Sequence, residues 1–407
     1  MTILPFDIIE KILEIIALEL DDPSLSTINM CSLVCHDWLP MCRKHIFASV
    51  ILHAPVALDS SSFRRRITVQ ALHKQLNTSP NIGHYVRDLL CVVAADTDSH
   101  FDDPAFINAF KMLPRLQSFR LDAGDIEWNH IRSSFLQIFN ISTFSALFVV
   151  GIKNLIPADL ALCKSLEKLL LRRTTFSTSH SESDTPRIPL RIRYLYVENW
   201  SIAEVVNLCD LRCMDETAFL DLSKLIFLSM EISSLNKVDS ARALLHTCEH
   251  LESLEINTDV FGPVDQDGRD TFIPINLSNI PTLKTLKRLE FDCFLQLGDP
   301  YLCLTDELMN MANKNVLEET LITINAFYDN RSVGNWEWGK LDEVFQHPGW
   351  PDLRYVSLTI VTYNRDTDIL DYTLAELREL VKSHFPKLSA SKSVIFMLSI
   401  RSHTFTL

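Results

Sequence analysis

The feature that most constrains the fold is a short apolar block that returns along the chain from residue 86 onward. The block has the form L-x-x-L-x-L, with other apolar residues at some of the leucine positions. Copies follow one another at intervals of roughly 22 to 36 residues. The clear copies begin at Val86, Leu116, Phe144, Leu166, Ile192, Leu225, Leu251, Leu286 and Leu353, and poorer ones span 316–324 and 393–400. Such a chain buries each unit against its neighbours, so a stack of repeats is expected.

This periodicity is typical of leucine-rich repeats, in which a short strand is followed by a return segment. The return segments are long enough for helices, and 238–247 has helical apolar spacing. We therefore predict an α/β fold: an irregular leucine-rich-repeat solenoid with a curved parallel sheet over residues 86–407. Four leucine positions are predicted to lie in the core: Leu169, Leu195, Leu254 and Leu289. The asparagine that usually follows each strand is replaced by Gly124, Thr174, Trp200 and Asp259, which predicts an irregular curve.

Two stretches between the blocks have the composition of surface insertions. Residues 177–189 are rich in Ser, Thr and His, and residues 259–281 are rich in Asp, Gly and Pro. Phe176 and Phe272 could tether them. Trp336 and Trp338 are expected to pack over the last repeats, or alternatively to contact a ligand.

The first fifty residues have a different pattern, that of three short helices. Pro5 suits a helix start, and Ile8, Ile12 and Ile15 recur at helical spacing. After Pro23, a second stripe is formed by Ile28, Cys31, Cys35, Trp38 and Cys42. Fifty residues cannot bury so many apolar side chains against one another. We predict a helical module over residues 1–50 and a helical joint over residues 51–85.

This module resembles the F-box, most closely the F-boxes of mushroom-forming fungi. The resemblance is carried by Leu4-Pro5, Ile12-Leu13, Leu33-Val34-Cys35, Trp38 and the continuation through Val50. The link from Ala17 to Ser26 is longer than in compact F-boxes. The resemblance implies that the helices bind the small adaptor subunit of a cullin–RING ubiquitin ligase. The residues that match the contact pattern, some of which must also pack the module, are Leu4, Pro5, Ile8, Ile12, Leu13, Leu33, Val34 and Trp38.

The implied function is that of a substrate-recognition subunit of an SCF-type ligase, a non-catalytic protein that binds the adaptor and, through it, the cullin. Its repeats would hold an unknown protein substrate near the activated ubiquitin conjugate. The alternative is a leucine-rich-repeat interaction protein that binds the adaptor only and directs nothing to degradation. The sequence does not discriminate the two.

Alternation along a strand sends the residues between the core leucines to the inner face of the sheet. In chain order these are Leu90, Val92, Arg120, Phe148, Val150, Leu170, Arg172, Tyr194, Tyr196, Phe227, Glu231, Glu255, Glu290 and Asp292. We predict a substrate groove centred on Phe148, Arg172, Tyr194 and Tyr196, with an acidic end that suits a basic segment of the partner. The alternative is that loops or the C-terminal tail cover this face, which would make Phe148 and Leu170 ordinary core.

Other classes of function find little support. The net charge of −14 argues against nucleic acid or an anionic membrane as the main partner; the tight basic cluster, 64–66, is expected to be a solvated face. No apolar run reaches the roughly 18 residues of a membrane span, and the N-terminus lacks the features of a signal peptide. Ten cysteines without regular spacing suggest reduced thiols in the cytoplasm or nucleus.

Metal and catalytic chemistry are not expected either. The nearest approach to a metal-ligand set is Cys31, Cys35, His36, Cys42 and His45, whose cysteines are expected to be buried along one helical stripe. His246 and His250 are expected at the surface near a helix end. No phosphate-cradling glycine loop or nucleophile elbow is found. We therefore predict no cofactor and no enzymatic activity.

Overall fold

The computed structural model describes residues 5–18, 22–53, 66–93, 103–141, 143–177, 188–198, 201–258, 275–295, 301–326, 338–364 and 374–404. The chain divides into two compact units. The first comprises residues 1–190 with 212–217, and the second comprises residues 191–211 with 218–407. Each unit is mixed α/β and contains a parallel sheet.

The first unit opens with three helices and continues with strands and helices. Its elements are α1 (Phe6–Leu18), α2 (Asp22–Cys31), α3 (Trp38–Ile46), β1 (Ser49–His53), β2 (Arg66–Ile67), α4 (Val69–Thr78), β3 (Asp88–Val92), α5 (Pro104–Lys111), β4 (Ser118–Glu127), α6 (Trp128–Ile141), β5 (Ala146–Lys153), α7 (Pro157–Leu160) and β6 (Lys168–Arg172). A 3₁₀ helix, Pro80–His84, lies between α4 and β3.

The described strands of the first unit lie in the order β2-β1-β3-β4-β5-β6, and all their pairings are parallel. One register row runs through Val50, Leu89, Phe119, Leu147 and Leu169. Every member of this row is buried. Parallel neighbours need a crossover connection, and helices in these connections supply the cover.

Local sequence signals set where two of these helices start. The Thr68 hydroxyl oxygen accepts the backbone N–H of Ala71 at 3.2 Å. An Asp103 carboxylate oxygen accepts the backbone N–H of Ala105 at 2.8 Å, and Pro104 occupies the first helical position of α5. The first turn of a helix has N–H groups without intrahelical partners, so these acceptors stabilise the start of each helix.

The second unit follows the same scheme of strands and helices. The elements after β6, in chain order, are β7 (Leu190–Arg191), β8 (Tyr194–Glu198), α8 (Ser201–Asp210), β9 (Leu220–Asp221), β10 (Phe227–Ile232), α9 (Leu235–Thr247), β11 (Ser253–Thr258), β12 (Arg288–Leu295), α10 (Tyr301–Met311), β13 (Glu319–Ala326), α11 (Gly339–Phe345), β14 (Tyr355–Asn364), α12 (Leu374–Ser383), α13 (Pro386–Ala390) and β15 (Ile395–Thr404). Short 3₁₀ helices, Leu277–Asn279 and Pro281–Lys284, precede β12.

The main sheet of this unit has the order β8-β10-β11-β12-β13-β14-β15, again with parallel pairings. One register row contains Leu195, Leu228, Leu254, Leu289, Thr320, Val356 and Phe396. The row is buried as far as Val356, whereas Phe396 is half-buried. The core of this unit therefore lies on one side of the sheet and thins out at β15.

The structure confirms that the L-x-x-L-x-L blocks are strands in parallel sheets. Leu169, Leu195, Leu254 and Leu289 are 0% exposed, as predicted. The poorer copies also form strands, β13 and β15. Where a leucine-rich repeat usually has asparagine, Thr174 is buried, and its hydroxyl lies 3.2 Å from the carbonyl oxygen of Val149 on β5. A threonine hydroxyl thus bonds to the backbone of the neighbouring strand.

The segment 51–85 is only partly helical. It contains α4 and the 3₁₀ helix but also most of β1 and all of β2. Since β1 pairs with β3 over its whole length, the sheet of the first unit begins before residue 86. The limits of a 1–50 module and of a 51–85 joint remain predictions.

Several smaller expectations concern loops and tryptophans. Phe176 is 6% exposed and forms a bridge with Leu155, in agreement with a tethering role, whereas Phe272, Trp336 and most of both insertions lie outside the described residues. Trp338 is fully buried, with its ring centroid 6.2 Å from that of Phe385, which agrees with packing rather than ligand contact. Among the described residues, no helix is both long and apolar enough to cross a bilayer.

Candidate functional site

The three N-terminal helices enclose a small core. Its buried members are Ile9, Leu13, Ile28 and Cys42. The side chains packed against them and partly buried include Ile16, Cys31, Trp38, Met41 and Ile46. At its edge, the Lys44 ammonium on α3 lies 3.0 Å from a Glu10 carboxylate oxygen and 3.6 Å from one of Glu14 on α1. The helices are therefore joined by a modest apolar centre and exposed ion pairs.

Helix α1 carries a second apolar stripe that this core does not cover. Ile8, Ile12 and Ile15 are 44%, 45% and 55% exposed. At about 100° per residue, these side chains share an arc of about 60°. The stripe is turned by about 100° from the face of Ile9 and Leu13. One helix thus presents one apolar face to the core and another to solvent.

The turn after α2 adds two further exposed apolar side chains. Leu33 and Val34 are 78% and 65% exposed. The Leu33 N–H donates to the Met30 carbonyl at 3.0 Å, and the Val34 N–H donates to the Cys31 carbonyl at 3.1 Å. The backbone of this turn is therefore held by its own hydrogen bonds while the side chains project into solvent. We call Phe6, Ile8, Ile12, Ile15, Met30, Leu33 and Val34 together the N-terminal apolar set.

The structure separates the residues predicted to contact an adaptor. The exposed ones are Pro5, Ile8, Ile12, Leu33 and Val34. Trp38 is half-buried against the small core. Leu13 is 2% exposed and belongs to that core, which places it among the members of the set that pack the module itself. Leu4 lies outside the described residues.

Three exposed apolar residues were missed by the sequence-based set. Phe6, Ile15 and Met30 are 55%, 55% and 65% exposed. Ile15 had a signal, because it continues the spacing of Ile8 and Ile12. Phe6 and Met30 had none, since an isolated apolar residue in a helix is more often core than surface.

The predicted helical stripe of cysteines is wrong in part. Helix α2 ends at Cys31 and α3 begins at Trp38, so Cys35 lies in the intervening turn and is exposed. Cys42 is buried, and burial raises the pKa of its thiol, with a smaller contribution from Cys31. Among the described residues, no group of three His, Cys, Asp or Glu side chains is placed to hold a metal ion.

The predicted substrate residues of the first unit lie on neighbouring strands. Phe148 on β5 is half-buried, with the Arg120 guanidinium 4.9 Å and the Lys168 ammonium 5.5 Å from its ring centroid. Arg172 on β6 is exposed and is in register with Val150, two residues beyond Phe148. The negative face of the Phe148 ring therefore interacts with the cations of Arg120 and Lys168. This part of the sheet offers positive charge beside an aromatic surface.

The predicted substrate residues of the second unit form an aromatic group with Phe227. Tyr194 and Tyr196, both half-buried on β8, have ring centroids 6.4 Å and 4.9 Å from that of Phe227. Because one strand residue separates the two tyrosines, both rings lie on the same side of the sheet. Such rings can give large contact area to a partner.

The acidic end of the predicted inner face lies on adjacent strands of the second unit. Glu255 on β11 is in register with Glu290 on β12. Burial raises the pKa of the Glu255 carboxyl, and the nearby Glu290 and Asp292 raise it further. Arg288 offsets part of the charge, since its guanidinium lies 2.9 Å from a Glu290 oxygen. This face is carboxylate-rich and only partly neutralised.

Comparison of the chain with models of known protein families finds no match. Comparison with curated proteins also finds no match.

Proposed function

We propose that this protein is a substrate-recognition subunit of an SCF-type cullin–RING ubiquitin ligase. In this proposal the N-terminal helices act as an F-box that binds the adaptor, and the leucine-rich-repeat-like remainder forms a solenoid that binds a protein substrate. The observation that carries the proposal is the N-terminal apolar set, which lies on the helices that resemble an F-box.

The seven exposed apolar side chains of the N-terminal apolar set support a role in protein binding. Soluble monomers rarely leave large contiguous apolar patches uncovered, and such patches are usual at interfaces. Burial of one Leu or Ile side chain stabilises by roughly 1.5–3 kcal/mol. A few of these residues, once covered by a partner, would contribute enough for stable association despite the entropy lost on binding.

The parallel sheets support the role of the remainder as a scaffold. One strand and one return per repeat place a series of variable side chains on a rigid framework, which suits recognition of an extended protein surface. The proposed substrate contacts are Phe148 and Arg172 in the first unit and Tyr194 and Tyr196 in the second. The mechanism is proximity: the bound substrate is held at a high effective concentration near the ubiquitin conjugate. No catalytic group of this chain takes part.

The adaptor contact is tested by replacing the apolar side chains of the exposed turn with charged ones. The double variant Leu33→Glu with Val34→Glu should lose adaptor in a pull-down and keep the melting temperature of the wild-type chain, because both side chains are exposed. The matched control is Ile188→Glu with Met214→Glu, whose side chains are 57% and 63% exposed. It should retain adaptor fully. Wild-type recovery of adaptor by the L33E/V34E variant would overturn the F-box assignment.

Ligase function is tested by co-purification with the tagged full chain. Recovery of adaptor, cullin and RING subunit together supports the ligase, and recovery of adaptor alone supports the non-ligase alternative. Proteins that accumulate when the chain is deleted are the substrate candidates. Their capture should weaken in Arg172→Ala and in Tyr194→Ala with Tyr196→Ala, while adaptor binding persists.

A further inference from the structure

The sheet of the second unit ends in an open edge at β15. Strand β15 pairs with β14 and, within the described part of the chain, with no other strand. The Ile395 N–H donates to the Arg354 carbonyl at 2.8 Å. Because successive residues of a strand direct their backbone polar groups to opposite sides, Phe396 and Leu398 direct theirs away from β14. No described strand pairs with these groups, so a further strand can be added at this edge.

The apolar core is also unfinished at this edge. Phe396 and Leu398 continue the register rows of Val356 and Leu358 on β14. The β14 residues are 1% and 2% exposed, whereas Phe396 and Leu398 are only half-buried. The reason is that each inner strand is covered by the next repeat, and β15 has no next repeat among the described residues. An added strand would extend this cover.

A groove of about 460 Å³ lies along the same edge. It is formed by β15, by helices α12 and α13, and by the segment that joins α13 to β15. The lining residues that matter here are Leu388, Phe396, Leu398, Arg378, Lys382 and Lys392. An apolar floor and three cations are thus brought together beside free backbone groups.

The charge of the groove is opposite to that of the chain. Arg378 and Lys382 are exposed, four residues apart on α12, and therefore share one face of that helix. Lys392 is exposed as well. The acidic residues of the same helix, Glu376 and Glu379, do not line the groove. In a chain of net charge −14, this cluster favours an acidic ligand.

We propose that this groove binds an extended acidic segment of a partner protein, which adds a strand to the free edge of β15. Apolar side chains of the segment pack on Phe396 and Leu398, and its carboxylates pair with Arg378, Lys382 and Lys392. A second copy of this chain is the less suitable occupant, because pairing two β15 edges would bring the same cations together. The inference does not depend on ligase function or on adaptor binding.

The experiment measures fluorescence anisotropy of a labelled peptide against the full chain. The probe is Ser-Glu-Ser-Val-Ser-Val-Ser-Glu-Ser, whose glutamates and valines share one side when extended. We expect saturable binding that weakens as salt is raised. The variant Arg378→Glu with Lys382→Glu should weaken binding by at least about tenfold. The matched control, Lys284→Glu with Lys314→Glu, changes net charge equally at exposed lysines outside the groove and should bind like the wild-type chain.

Two further measurements distinguish strand addition from other contacts. The same peptide, N-methylated at every backbone nitrogen so that neither of its edges can donate to a strand, should fail to bind. Equal binding of the methylated peptide, equal loss in the control variant, or absence of saturable binding to the wild-type chain would each overturn the proposal. Light scattering tests the remaining occupant: a wild-type dimer that Leu398→Pro dissociates, because proline removes an outward N–H of the strand edge, would assign the edge to a second copy instead.

Discussion

The N-terminal helices and the repeat strands contain the same apolar residue types, but the helices expose many of them and the strands bury them. Leu33, after α2, is 78% exposed, whereas Leu254, on β11, is 0% exposed. In the strands, neighbours on both sides and helices in the connections cover the leucine positions of every clear copy of the repeating block. In the helices, a core of four buried side chains leaves a second face of α1 uncovered. Apolar content therefore marks burial only where enough neighbours exist to provide it.

The largest difference in stability is expected between truncation of a buried strand leucine and truncation of an exposed leucine of the N-terminal helices. Leu254→Ala should lower the free energy of unfolding by about 2–5 kcal/mol, because it leaves a cavity in a close-packed core. Leu33→Ala should change it by no more than about 0.5 kcal/mol, since no buried contact is lost. Urea denaturation of both variants checks this. Equal losses would mean that the turn after α2 is packed in solution.

Buried and exposed aspartates can be compared in the same way, and we expect a somewhat smaller difference in stability between them. In the first unit, the buried Asp159 carboxylate accepts from the Trp128 indole N–H at 2.7 Å and from the Arg132 Nε–H at 2.8 Å. Asp159→Ala should cost about 3 kcal/mol, because it leaves a buried donor and a partly buried cation without their acceptor. In the second unit, Asp239 pairs with Arg242 at 2.7 Å but its side chain is 84% exposed.

Asp239→Ala is the matched control and should cost less than about 1 kcal/mol, as exposed ion pairs do. Thermal unfolding of the two alanine variants, side by side, gives the difference. A cost for Asp239→Ala as large as that for Asp159→Ala would contradict the view that enclosure, and not pairing, sets the magnitude.

The smallest expected effect concerns Glu255, where the pKa of the carboxyl is raised by burial and then by Glu290. A raised folded-state pKa means that the stabilising contribution is full below the ordinary glutamate pKa of about 4.3. It is lost as the pH rises through the folded-state pKa, because the folded chain must then carry this charge beside Glu290. Glu255→Gln should therefore stabilise near neutral pH by up to about 1 kcal/mol.

The gain should disappear in acid, where Glu255 is protonated in the wild-type chain. Melting temperatures of wild type and E255Q across the acid-to-neutral range check the sign. The control is Glu249→Gln, which removes one carboxylate at an exposed position. A gain for E255Q that is constant with pH would show that charge repulsion is not its cause.

Most of the strands could be predicted because their signal is local. Strand β1 was not predicted although its signal is present: Phe47, Val50 and Leu52 have the spacing of the repeating block and are buried. The predicted boundary at residue 50 divides this strand between the helical module and the helical joint, because the preceding residues are helical. The cysteine stripe was wrong for the reverse reason. Helical spacing continues through residues 32–37, and no glycine or proline there marks the turn.

The sequence by itself determined most of the strand positions and which residues of each repeating block are buried, because side-chain alternation depends on residues close in the chain. It also determined the helix starts at Pro5, Thr68 and Pro104, because capping is local in the same way. Only the tertiary structure decided that Leu13 is core while Ile12 is exposed, that Asp159 is enclosed with Trp128, and that the groove beside β15 gathers three cations. These outcomes depend on neighbours far apart in the chain. Burial is set by how many such neighbours arrive, which no local pattern records.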